Sequence, residues 1–130
     1  LTGSLLMDCT VRQSIVAEGC AVGRATIDES VVGIRQIIQD GSTIRRSVLL
    51  GADYYGNEQN APARGDRPRL GIGKDVVLDR VIVDKNARVG DGARLVNEKG
   101  IDHADGDGYC IRDGIIVVPK DGVIKPGTVV

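Results

Sequence analysis

Aliphatic residues recur at every sixth position through most of the chain. Val32, Ile38, Ile44 and Leu50 form one series, Val77, Val83, Val89 and Leu95 a second, and Val118, Ile124 and Val130 a third. Small or apolar residues stand four places after these rungs, at Ser42 and Val48, at Val81, Ala87 and Ala93, and at Gly122 and Thr128. Turn formers fill the intervals, as in Gln39-Asp40-Gly41 and Gly90-Asp91-Gly92. A period of six fits neither the 3.6 of a helix nor the alternation of a hairpin strand. It fits the hexapeptide coil, in which each six residues supply one short strand and a corner, and three such units close a triangular turn. The aliphatic rung points inward, and the small residue leaves room where two walls converge. The pattern therefore predicts an all-β fold, a parallel β-helix of stacked triangular coils.

The pattern is looser over the first thirty residues. Val16 and Val22 are six apart, but Asp28 holds the next rung position, with Ile27 displaced by one. This predicts coils with irregular corners. Two stretches break the period outright: 52–70, rich in Gly, Asn, Pro and Arg, and 97–110, rich in Gly and Asp. Both are expected to be loops thrown out from corners, and such insertions tend to collect on a functional side. Without these loops about 97 residues remain, enough for five coils of about eighteen in a single domain over 1–130.

Composition supports the same geometry. There is no Phe or Trp and there are three Tyr, so the core cannot draw on large aromatic rings. The 17 Val and 13 Ile outnumber 8 Leu, an excess of β-branched residues suited to pleated surface. A three-walled prism is only about one Val or Ile deep, which accounts for both facts. The net charge of −1, with both signs interspersed, lacks the footprint of a nucleic-acid or acidic-membrane binder. No apolar run approaches the ~20 residues of a membrane span. Cys9, Cys20 and Cys110 are an odd set without C-x-x-C spacing, and no signal-peptide pattern opens the chain, so a reducing compartment is expected. The chain starts at Leu1, not Met, which suits a processed product or an excised domain.

Catalytic chemistry has little to build on. The sole histidine, His103, lies in the second loop, where hexapeptide-repeat acyltransferases carry a general base; the alternative is a solvated loop histidine. Zinc hydration enzymes of this architecture need three His ligands, which one histidine cannot supply. Gly71-Ile-Gly73-Lys-Asp-Val lacks the third glycine and the following helix of a phosphate loop.

The basic residues carry more information. Lys85 stands two places after the rung Val83, and Lys120 two places after Val118, so both share one phase of the hexad. Once the second loop is subtracted they are about one coil apart, which predicts two ammonium groups at one corner on adjacent coils. Stacked lysines repel unless a phosphate or carboxylate lies between them. The pair is therefore a candidate anion site, with Arg88 and Arg45 as further candidates. The alternative is that both lysines are solvated and neutralised by Asp84 and Asp121.

The segments SVVGIRQIIQDGSTI (30–44), SVLLGADYYGNE (47–58), GIGKDVVLDRVIVDKNARVGDGARLVN (71–97) and DGYCIRDGIIVVPKDGVIKPGTVV (107–130) resemble the carboxy-terminal β-helix domain of ADP-glucose pyrophosphorylase, glucose-1-phosphate adenylyltransferase, of the plant and cyanobacterial type. The resemblance covers nearly the whole chain, and its blocks are specific in combination. It implies a left-handed helix, the exception to the usual right-handed parallel crossover. It also implies an enzyme that joins ATP and glucose 1-phosphate into ADP-glucose and pyrophosphate for starch or glycogen synthesis. Catalysis in that family sits in an amino-terminal nucleotidyltransferase domain, absent from this chain, and the Mg²⁺ and ATP sites belong there, so no cofactor or metal is expected here.

The family's β-helix half helps assemble homo- or hetero-tetramers and binds 3-phosphoglycerate in competition with phosphate, through lysines that match Lys85 and Lys120. Arginines of the catalytic domain of the same polypeptide complete that pocket. The first loop, GNEQNAPARGDRPRL, is shorter than the family's, so subunit contacts made there are not implied. The implied location is the bacterial cytoplasm or the plastid stroma. Two other readings stand beside this one: an acyltransferase using His103, and a purely structural β-helix that binds nothing small.

Overall fold

The computed structural model describes residues 3–55 and 68–130. Their strands form three walls. The first stacks β1 (Leu5–Leu6), β4 (Ala21–Val22), β7 (Ile37–Ile38), β10 (Gly71–Ile72), β13 (Arg88–Val89) and β18 (Val123–Ile124). The second stacks β2 (Thr10–Arg12), β5 (Thr26–Asp28), β8 (Thr43–Arg45), β11 (Val77–Asp79) and β14 (Arg94–Leu95). The third runs through β3 (Ile15–Val16), β6 (Val31–Val32), β9 (Val48–Leu49), β12 (Val81–Val83) and β17 (Ile115–Val118), and is extended by β16 (Tyr109–Arg112) and β15 (His103–Gly106). Every pairing is parallel except those of β15 with β16 and of β16 with β17. The described residues thus wind through five coils, with a sixth begun by β18 and the bridge from Arg94 to Val129. No helix among them is long and apolar enough to cross a membrane.

The coils are shorter than the eighteen residues expected from the hexad. Val22 pairs with Ile38, sixteen positions on, and Ile72 with Val89, seventeen on. One residue is saved at the corner between the second and third walls, where successive rungs are five apart: Ile27 to Val32, Ile44 to Leu49, Leu78 to Val83; the sixteen-residue coil saves a second between Val22 and Ile27. Each corner between the second and third walls is tightened by a residue in the left-handed region, Glu29 (φ 49°), Arg46 (φ 47°) or Arg80 (φ 57°). The rungs predicted at Leu50 and Val77 are therefore corrected to their neighbours. Leu49 and Leu78 are fully enclosed, whereas Leu50 is 39% exposed. The displaced Ile27 reflects a different corner, between the first and second walls, which takes five residues from Val22 to Ile27 but six from Ile38 to Ile44, so the early coils do have the irregular corner expected.

Left-handed backbone at a non-glycine residue costs on the order of 1 kcal/mol, and a serine ladder offsets it. Ser30 Oγ donates to the Asp28 carbonyl (2.8 Å) and accepts the Ser47 N–H (3.1 Å). Ser47 Oγ in turn donates to the Arg45 carbonyl (2.6 Å) and accepts the Val81 N–H (3.2 Å). Backbone groups that the turn would leave unpaired are thus satisfied from coil to coil.

The interior is a column of Ile, Leu and Val rungs, one per wall and coil. Its two ends differ. Leu5, Leu6, Met7, Val11 and Ile15 of the first coil are exposed, with no coil of described residues beneath them. The other end is covered, because the stretch expected to be a simple loop over 97–110 instead runs into a hairpin. β15 and β16 pair antiparallel, β16 turns back onto β17, and Ile111, stacked against Ile116, is 1% exposed. The turn between β16 and β17 is Asp113-Gly114, both with positive φ (52° and 78°), the two-residue geometry suited to twisted strands. The buried Asn97 ties the hairpin base down, donating from Nδ2 to the Ile101 and Gly114 carbonyls (2.9 and 3.1 Å). Of the predicted first loop, residues 56–67 lie outside the described residues.

Candidate anion-binding site

The corner between the third and first walls keeps six residues, with its left-handed residue three places after the rung: Arg35, Asn86 and Asp121 at φ 57°, 62° and 60°. Lys85 and Lys120 each precede that residue. Because Val83 pairs with Val118, the two lysines occupy the same position of adjacent coils, and the Asp121 N–H donates to the Lys85 carbonyl at 2.9 Å. Hexad phase and register thus bring them together, at the ~4.8 Å spacing of neighbouring strands along the backbone.

A carboxylate already stands at this corner. After β9 the chain leaves the third wall at Gly51 (φ 85°) and runs along the corner as a strap of described residues to Tyr55. Asp53, on this strap, pairs with Lys85 Nζ at 3.1 Å. Its N–H donates to Asn86 Oδ1 (2.8 Å) and its Oδ2 accepts from Asn86 Nδ2 (3.2 Å). Two further contacts hold the strap: Arg35 donates to the Ala52 carbonyl (3.1 Å), and the Tyr55 hydroxyl donates to the Gly19 carbonyl (2.6 Å). Gly51 is required here by its φ and because a Cβ would collide with the Ile34 carbonyl.

The hydrogen bonds from Lys85 and then Asn86 hold the Asp53 carboxyl below the ordinary carboxylate range against desolvation, with lesser help from the charges of Lys85 and Lys120. The carboxylate facing Lys85 is therefore Asp53, and the pairing with Asp84 considered from sequence is not what forms. Asp84 Oδ1 instead accepts the Lys85 N–H (2.7 Å). Lys120 is exposed and makes no ion pair among the described residues.

The other sequence candidates lie apart. Arg88 is on β13, just past the corner on the first wall; it is buried, and its guanidinium donates to the Pro68 carbonyl (3.1 Å), where the chain returns to the prism. Arg45 closes β8 on the second wall, between Asp28 and Asp79 of the adjacent coils, and so does not join the lysine corner. His103 opens β15, exposed and opposite Arg112. No cluster of three or more His, Cys, Asp or Glu among the described residues could hold a metal ion. Asp53 was missed in the sequence because nothing in the hexad phase places a residue from inside an insertion; the signal was its proximity to the exit point of the loop.

Comparison with known proteins agrees with this architecture. Residues 1–129 match the model of the GLGC left-handed parallel β-helix domain. The glucose-1-phosphate adenylyltransferase small subunit, chloroplastic/amyloplastic, of Triticum aestivum is 38% identical over 134 residues. That alignment covers 100% of this chain and 28% of the wheat protein, so the chain spans under a third of that relative's length. The hand of the coil, which the period of six leaves open, comes from this match. With the three parallel walls, it establishes that the chain belongs to the GLGC left-handed parallel β-helix domain family.

Proposed function

We propose that this chain is the effector-binding and assembly module of a glucose-1-phosphate adenylyltransferase, and that Lys85 and Lys120 bind an anionic effector such as 3-phosphoglycerate or phosphate. The observation that carries this reading is the Val83–Val118 register, which sets two lysines at one corner of adjacent coils with a carboxylate against one of them. A phosphate dianion has the oxygens to accept from both ammonium groups at once, and charge-assisted bonds of this kind are about twice as strong as neutral ones. The nucleotidyltransferase reaction would reside in a separate domain of the same polypeptide, in a tetrameric assembly, and the name of the wheat relative suggests a plastid setting.

An effector at this corner would act by binding one arrangement of the β-helix and catalytic domain more tightly than another, since a ligand shifts an equilibrium only through differential affinity. Calorimetric titration of the chain with 3-phosphoglycerate and with inorganic phosphate tests the site. Lys85→Ala and Lys120→Ala should each weaken binding about tenfold or more. Binding that is unchanged in both variants would remove the assignment.

A further inference from the structure

We propose that Asp53 is a tethered competitor for this site: its carboxylate occupies the place of an incoming phosphate group, and anion binding displaces it from Lys85 and loosens the strap over 51–55. The inference rests on the reading of the lysine corner as an anion site, and adds how that site is regulated.

Three observations support it. First, Asp53 makes the bond that an effector oxygen would make, to Lys85 Nζ at 3.1 Å, and it comes from an insertion and not from the repeat. Second, Lys120 lies close enough to contribute to the charge acting on Asp53, yet has no ion pair of its own among the described residues. Lys85 and Lys120 both act on the place the Asp53 carboxylate occupies, so a doubly charged phosphate there would gain more from the two ammonium groups than the single resident charge does. Third, the strap is held at separate points, by Arg35 on Ala52, by Lys85 and Asn86 on Asp53, and by Tyr55 on Gly19. The Lys85 contact is an exposed pair and a weak one. It is the link that an anion can replace without disturbing the stack. Occupancy of the corner is thereby converted into a change in the first insertion, at the edge of the prism where a neighbouring domain or subunit can read it.

The test is a double-mutant cycle with inorganic phosphate as the probe, read by calorimetry, together with ¹³C NMR of the Asp53 carboxyl. Asp53→Asn keeps the side-chain shape and one acceptor for Asn86, and removes the charge. It should bind phosphate about fivefold more tightly, the factor corresponding to release of one exposed ion pair. In a Lys85→Ala background the same change should alter affinity less than twofold. Added phosphate should also shift the titration of Asp53 in the unsubstituted chain up toward the ordinary carboxylate range. If Asp53→Asn binds phosphate no more tightly while Lys85→Ala loses binding, the competitor role is overturned and the anion site stands. If neither the unsubstituted chain nor Asp53→Asn binds phosphate, both readings fall. Should Asp53→Asn not fold, the carboxyl titration with and without phosphate decides the matter alone: an unmoved midpoint overturns the proposal.

Discussion

At the scale of single residues, the placement of Leu49 and Leu50 shows how one position decides burial. The period of six makes Leu50 the expected rung, but the left-handed Arg46 shortens the corner and turns Leu49 inward instead. Leu49→Ala should therefore cost about 2–5 kcal/mol in urea unfolding, the range for a cavity in a closed core, and Leu50→Ala less than about 1 kcal/mol. Equal losses would contradict the five-residue corner. Gly33 is a second sensitive position, directly after the rung Val32. A Cβ there would stand 2.5 Å from the Leu50 carbonyl oxygen of the coil above, which is backbone and cannot rotate away. Gly33→Ala should cost roughly 1–3 kcal/mol, the range for overpacking, in the same measurement.

Among the elements, the strap and the hairpin are the two that the repeat does not specify. The folded pKa of Asp53 is lowered, so the pairing with Lys85 contributes above the ordinary carboxylate range and is lost as pH falls through the lowered folded value. Lys85→Ala removes the largest cause of the lowering and should move the Asp53 midpoint up, a shift readable from its carboxyl resonance. The hairpin depends on Asp113-Gly114. Gly114 has φ 78° with open space around the Cβ position, so Gly114→Ala introduces backbone strain without a clash and should destabilise by about 1 kcal/mol. The dipeptide Asp-Gly between CIR and IIVV was a hairpin signal in the sequence. The Gly- and Asp-rich stretch before it reads as loop, and antiparallel pairing is foreign to a hexapeptide coil, so the repeat alone predicts no hairpin there.

For the whole molecule, stability follows from stacking, since each coil contacts only its neighbours. The first coil has one neighbour and exposed rungs, whereas the last is covered by the hairpin. Native-state hydrogen exchange should accordingly be fastest at β1 to β3 and slowest through the central coils, a gradient that a single cooperative core would not show. The sequence by itself determined the coil: an aliphatic residue near every sixth position is a local rule, and it fixes which face turns inward wherever it is repeated. It also determined that Lys85 and Lys120 share a corner, because identical offsets from rungs become identical places in a stack. Only the tertiary structure decided that corners take five or six residues, that the second insertion pairs as strands, and that Asp53 faces Lys85. The first two rest on backbone conformation and pairing outside the repeat, and the last on a contact between residues 32 positions apart, Asp53 with Lys85, and none of these can be named by a periodicity.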